Sequence, residues 1–324
     1  MILLNENDKL LLEEIQNDIP LISSPFTVIA DKCKMNEIKV LEKLKLFLDN
    51  NLIRDISALI DASKIGYKNT LVALKVKTEN IKKVSVVINA HPGVSHNYLR
   101  EHAYNIWFTL SIEKEKDFQK EISTMLNGTQ YEEYIILPAI QTFKLKVHFN
   151  LTGHEQQNES IKQNIKKFVS LNDKEKWILV VLQQPFPLVH QPFMQIAQQL
   201  DLTEQQLRNS IEKLKQKGVI KRIVGMLRHR HVGFSENNML CFNIPNERIK
   251  EAGNIATTFN EISHCYQRPV FPNWPYSLFC MTHAQSKERA NELMKEISKR
   301  IKCNDYIALK SIKEFKKERV KYFI

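Results

Sequence analysis

Glycine is scarce in this chain, 8 among 324 residues, and no two of them stand in a Gly-x-Gly arrangement. The glycine-rich turns that cradle a pyrophosphate or triphosphate are therefore missing, which excludes dinucleotide-dependent dehydrogenase and phosphate-loop chemistry. Cysteine is sparse as well. Cys33, Cys241, Cys265, Cys280 and Cys303 are odd in number, widely spaced and without a Cys-x-x-Cys pair, so no disulfide scaffold and no protein metal site is expected. The longest apolar runs, Ile135 to Ile140 and Ile178 to Leu182, fall far short of the roughly 20 residues a bilayer span requires. Met1 to Asn5 lacks the basic and apolar regions of a secretory leader, so a cytoplasmic protein without a membrane partner is expected.

What is plentiful is positive charge, a formal +11, against a hydrophobic content of 43% that suffices for real cores. An anionic partner is implied, and nucleic acid, a membrane surface and a polycarboxylate all qualify. One short pattern narrows the choice because it is written twice, as Ser95-His96-Asn97-Tyr98-Leu99-Arg100 and as Ser263-His264-Cys265-Tyr266-Gln267-Arg268. In an extended strand alternate side chains share a face, so His, Tyr and Arg of each copy form one polar stripe. Such a stripe is either an ordinary half-exposed strand face or the floor of a site for a carboxylated ligand, since Arg pairs bidentately with carboxylate and His titrates near neutrality.

The duplication extends through most of the chain. Pro20 to Ala30 lines up with Pro187 to Ala197, Asn51-Leu52-Ile53-Arg54 with Gly218-Val219-Ile220-Lys221, and Gly66-Tyr67 with Gly233-Phe234. Each half opens with three short helical patterns and a β-like wing, followed by strand, helix, strand, strand, helix, strand, the ferredoxin-like order. The fold class expected is α+β: two tandem copies of a winged helix-turn-helix followed by a ferredoxin-like βαββαβ domain. The boundaries expected are 1–66 for the first winged unit, 67–150 for the first ferredoxin-like domain, 151–170 for a linker, 171–233 for the second winged unit and 234–324 for the second ferredoxin-like domain. The last strand of the first half is read as Glu132 to Lys146, that of the second as Tyr306 to Lys313.

A helix-turn-helix joined to a ferredoxin-like module resembles the Lrp/AsnC regulators. The longer words resemble something narrower. AHPGVSHNYLREHAYNIWFT from Ala90 to Thr109 is similar to one subunit type of the siroheme decarboxylases. GMLRHRHVGF from Gly225, SHCYQRP from Ser263 and WPYSLF from Trp274 are similar to the partner subunit type, so the resemblance implies two subunits fused into a pseudo-heterodimer, with further pairing between chains left open. It also implies a carboxy-lyase that removes carbon dioxide from two acetate side chains of siroheme to give 12,18-didecarboxysiroheme, on an alternative route to heme or to heme d1. The iron arrives with the substrate, and no further cofactor is expected.

On that resemblance His96 and His264, with His102 a third, are candidates for proton donation or for contacts to the reacting acetates, with ligation of the substrate's iron by one of them left open. Arg100, Arg268, Arg228 and Arg230, with His229 in the same run, are candidates to clamp carboxylates. Tyr98 and Tyr266 would orient the histidines or donate to a carboxylate, and Trp107, Phe108, Tyr276 and Phe279 offer aromatic surface for a flat ring or else pack in a core. The first wing carries Arg54, Asp55, Asp61 and Lys64 where the second carries Lys221, Arg222 and the Arg228 to His231 run, so one composite site is expected rather than two equal ones. The rival readings are a DNA-binding regulator that senses a tetrapyrrole and an inert tetrapyrrole carrier. DNA binding is disfavoured by Glu37, Glu42, Glu204 and Glu212 on the third helix of each half, the one that would enter the major groove.

Overall fold

The computed structural model describes residues 4–145, 168–228 and 236–323. The first half opens with helices α1 (Glu6–Glu14), α2 (Pro25–Lys32) and α3 (Glu37–Asp49), which return in the second half as α6 (Asp173–Leu182), α7 (Pro192–Gln198) and α8 (Glu204–Gln216). Local sequence sets where they start. Asn5 and Asn172 form capping boxes with Asp8 and Glu175, while Pro25 and Pro192 occupy a first turn where no N–H is needed. A single strand follows each triplet, β1 (Ile53–Ile60) and β7 (Ile220–Leu227), and the two pair antiparallel with each other. The wing of each half thus satisfies its backbone with the wing of the other. Six helices and this ribbon share one core in which Phe26, Phe47, Phe193 and Leu207 are fully buried.

The loops before α2 and α7 also cross between halves. Ser23 donates its hydroxyl to Glu204 in the first turn of α8 at 2.7 Å, and the His190 ring lies 2.8 Å from Glu37 in the first turn of α3. These are the turns that a helix-turn-helix protein presents to base edges, and here each is occupied by its sister half.

The remaining elements of the first half are β2 (Tyr67–Lys75), α4 (Ile81–Ala90), β3 (Val94–Arg100), β4 (Ile106–Glu113), α5 (Phe118–Met125), β5 (Glu133–Pro138) and β6 (Gln141–Leu145). Those of the second are β8 (Glu236–Phe242), α9 (Ile249–Thr257), β9 (Ile262–Gln267), β10 (Leu278–Ala284), α10 (Lys287–Ile301) and β11 (Tyr306–Lys317). The strands run in the order β5-β2-β4-β3-β11-β8-β10-β9-β6, which is two ferredoxin-like sheets joined edge to edge. Because β6 follows β5 after only Ala139 and Ile140, the pairing returns to where it began and the sheet closes into a flattened sandwich. Its interior holds Trp107, Leu137, Met239, Trp274, Phe279 and Leu309 from both halves. Outside, α4 and α5 cover one sheet through Val84, Ile88 and Ile122, and α9 and α10 cover the other through Ala252, Leu293 and Ile297.

The seams are made by strand exchange. Tyr306 to Lys310 of β11 pair with β8 of their own half, and Ser311 to Lys317 continue onto β3 of the other. The first half does the same with a break: β5 lies on β2, Pro138 has no N–H to extend that ladder, and β6 resumes on β9. The strand read as Glu132 to Lys146 is therefore two strands, and the one read as ending at Lys313 runs to Lys317 because β3 supplies a partner. Beyond β11, Arg319 donates to Ser57 and to the Ala58 carbonyl, and Tyr322 exchanges two hydrogen bonds with Gln183, which straps the helical layer over the His96 end of the sandwich. Among the described residues no helix is long and apolar enough to cross a membrane.

Phe143 of β6 rests directly on Gly253 of α9, so closely that a Cβ there would sit 2.5 Å from the ring. Gly253→Ala should push the exchanged strand off its seat and cost about 1–3 kcal/mol by chemical unfolding. An unchanged unfolding midpoint would contradict that seating.

Candidate active site

Strands β3 and β9 are the second strands of the two sheets, each covered by the other half's last strand. A register shift sits immediately before each histidine, between Val94 and His96 and between Ile262 and His264 in the pairing with β4 and β10. Such irregularities re-aim a side chain. From there the period-two stripe holds: the His96 and Tyr98 rings stack at 6.2 Å, and the Arg100 guanidinium lies 5.4 Å over Tyr98. In the second stripe His264 lies 6.1 Å from Tyr266, and Arg268 lies 4.9 Å over Tyr266 and 5.5 Å over Phe279.

The stripes face inward and meet. Charge on His264 acts on His96, and Lys317 acts on both, so the two imidazoles share one neighbourhood at the seam. Each ring is half-buried. Burial first, then Arg54, Lys317 and His264, push His96 down to about 3; burial, Arg268 and Lys317 push His264 down to about 4. Both imidazoles are neutral at pH 7. Nδ1 of each is held by the preceding serine at 2.8 Å, and among the described residues Nε2 has no hydrogen bond.

Deeper in, Arg100 and Arg268 each cross the seam to a backbone carbonyl of the other half. Arg100 donates to Leu309 at 2.8 Å and Arg268 donates to Leu137. Among the described residues neither has a carboxylate partner, each leaves its Nε without a hydrogen bond, and burial lowers both to about 10. An uncompensated cation in such a place costs on the order of several kcal/mol, of which the aromatic faces offset about 2. Among the described residues no anion balances the pair.

The rim is built by the paired wings. Arg228 lies opposite Leu52, whose carbonyl takes its N–H at 2.8 Å, and its side chain is 3.9 Å from Glu314, which accepts from the Tyr98 hydroxyl at 3.2 Å; Lys317 lies 4.0 Å from the same carboxylate. Arg54 acts on His96 and Lys317 on both histidines without a local sequence signal for it, and Glu314 and Lys317 reach the first stripe because β11 pairs with β3 of the other half. His229 and Arg230 lie outside the described residues.

The structure does not bring His102 to the pair. It is exposed beyond the end of β3, its Nδ1 accepts from the Tyr104 N–H at 3.0 Å, and its ring meets Trp274 edge-on at 5.4 Å. Tyr276 lies 5.2 Å from Trp274 in the same aromatic group, which also contains Trp107 and Phe279 and fills the far end of the sandwich. Phe108 faces the other way, into the core beneath α4 and α5. An open depression of about 570 Å³ outside β5, lined by Tyr134, Pro138 and Phe271 among others, holds no residue of either stripe.

The chain matches the AsnC-like ligand binding domain over residues 64–144 and 231–316, and the siroheme decarboxylase NirDL-like HTH domain over residues 8–54 and 175–221. It is 35% identical to the siroheme decarboxylase of Hydrogenobacter thermophilus over 98% of this chain and 95% of that one. Half-length relatives include the siroheme decarboxylase beta subunit of Methanosarcina barkeri, 36% identical over 44% of this chain and 95% of the subunit, and the alpha subunit of Oleidesulfovibrio alaskensis, 34% identical over 46% and 90%. The crystal structure of the siroheme decarboxylase NirDL superposes with a TM-score of 0.75 at 32% identity, covering 99% of this chain and 95% of that one. The same protein in complex with an iron-uroporphyrin III analogue superposes with a TM-score of 0.74. The chain belongs to the siroheme decarboxylase family, and carries in one polypeptide the two repeats that other members divide between alpha and beta subunits.

Proposed function

We propose that this chain decarboxylates siroheme at two acetate side chains to give 12,18-didecarboxysiroheme, with the reacting edge of the macrocycle at the seam between His96 and His264. The observation that carries the reading is the meeting of two neutral imidazoles above guanidiniums that lack protein carboxylates. Siroheme is a flat, largely apolar ring rimmed with carboxylates, and it would supply the missing anions. The paired wings and the occupied first turns of α3 and α8 speak against a DNA-reading role.

Loss of carbon dioxide from an acetate leaves an electron pair on the methylene carbon, which the conjugated macrocycle and its iron delocalise, so no separate cofactor is called on. One proton then completes each methyl group. The chain's own part is to hold the carboxylates, to exclude water and to present that proton. Arg100 and Arg268 anchor carboxylates in the interior, Arg54, Arg228 and Lys317 hold those at the rim, and Tyr98, fixed by Glu314, keeps its histidine in line. Nε2 of His96 and of His264, the nitrogens not taken by serine, face the reacting carbons.

Anaerobic incubation of the purified protein with siroheme should yield a pigment lighter by two carbon dioxide units. Changing both His96 and His264 to Ala should leave pigment binding largely intact and slow turnover at least about a hundredfold. Full activity in that double variant would remove the histidines from the chemistry. A second test follows from charge: carboxylates beside His96 raise its proton affinity from about 3, so binding near pH 6 should draw protons from solution. Calorimetric titration in buffers of different ionisation enthalpy should show net uptake that falls in a His96→Gln variant, and proton release would contradict the assignment.

A further inference from the structure

Ser263 stands between two histidines. Its hydroxyl lies 2.8 Å from Nδ1 of His264 and 2.9 Å from Nε2 of His283, with the Met281 carbonyl a longer contact at 3.4 Å. His283 comes from β10, where its backbone N–H donates to Glu261 at 3.0 Å; its ring is half-buried, with Nδ1 out of contact with solvent. The corresponding serine of the first half has a different neighbour. Ser95 lies 2.8 Å from Nδ1 of His96 and 2.6 Å from the Thr109 hydroxyl, which also accepts the His96 backbone N–H at 3.2 Å. A threonine hydroxyl does not take up and release a proton near neutral pH; an imidazole does.

Resting on the decarboxylase reading above, we propose that Ser263 and His283 are positioning residues that form a proton relay to His264, so that one of the two acetates is served by a replenished donor and the other is not. In the step itself His264 gives its Nε2 proton to the methylene carbon as the bond to carbon dioxide breaks. The Ser263 hydroxyl passes its proton to Nδ1 of His264 and takes one from Nε2 of His283. If His283 starts as the imidazolium it ends neutral, the carbanion has gained one proton, and the charge balances. Product release readmits water, which returns His264 to the Nε2–H tautomer and recharges His283. Through His96 the path ends at Thr109, so that ring serves only with a proton taken from solution on binding, and passes from imidazolium to neutral imidazole as it delivers it.

Single-turnover decarboxylation of siroheme by the full chain tests this with three variants: His283→Gln, Ser263→Ala and Ser263→Thr. In the first two, one carbon dioxide should be lost at close to the normal rate and the other at least about tenfold more slowly, so that monodecarboxylated pigment accumulates and its further reaction shows an altered solvent deuterium isotope effect. Ser263→Thr, which keeps the hydroxyl, should behave as the parent. Absorbance titration of pigment binding serves as the structural control and should be unchanged in all three. Normal rates for both losses in His283→Gln and Ser263→Ala, with His264→Ala impaired, would refute the relay alone. A fully active His264→Ala would instead refute the placing of His264 at an acetate, and the relay with it.

Discussion

Two guanidiniums held inside a sandwich, with no carboxylate among the described residues to balance them, are the constraint on which the rest of this protein turns. Arg100 and Arg268 reach across the seam to carbonyls of Leu309 and Leu137, which belong to the last strands of the opposite halves. Neither half could place its arginine alone, because the accepting strand comes from the other. Strand exchange is therefore more than a way of covering exposed edges. It brings both stripes to one seam and sets each cation against aromatic rings that soften the cost of burying it, with no balancing carboxylate among the described residues.

Around that near-symmetric centre the two halves have diverged in ways that matter for chemistry. Lys317 and Arg54 depress His96, while the neighbours of His264 are Arg268 and Lys317. The serine before each histidine is the same residue type in the same place, yet one leads to Thr109 and the other to His283. A substrate whose two reacting acetates are chemically alike but sit at different positions on an asymmetric ring meets a site with the same character.

How much of this could be read from the chain depended on the range of the interaction involved. The stripes were legible because alternation along a strand is a local rule, and so were the duplication, the three helical patterns that open each half, and the ferredoxin-like order. His102 was named on the resemblance, as a third histidine of the same sequence word; β3 ends at Arg100, and His102 lies exposed beyond it, where sequence does not say which way a side chain points. The pairing of β1 with β7, the division of one strand at Pro138 and the continuation of β11 to Lys317 depend on which edge meets which, and sequence marks edges only weakly. Arg54, Glu314 and Lys317 were invisible for that reason. Each is an ordinary charged strand residue until the other half arrives.

The account stands or falls on whether the interior cations are completed by carboxylates on the ligand. The most direct measurement compares the affinity of the empty protein for a fully carboxylated iron porphyrin with its affinity for one that carries only a pair of carboxylates, at the same salt concentration. Hydrogen bonds to charged groups contribute roughly 1.5–3 kcal/mol each, so preference for the fully carboxylated ring should exceed about tenfold and should shrink when Arg100 and Arg268 are both changed to Met. Equal affinity for the two rings, with or without those arginines, would mean that the cleft recognises the flat macrocycle alone and that the buried charges are there for some other purpose.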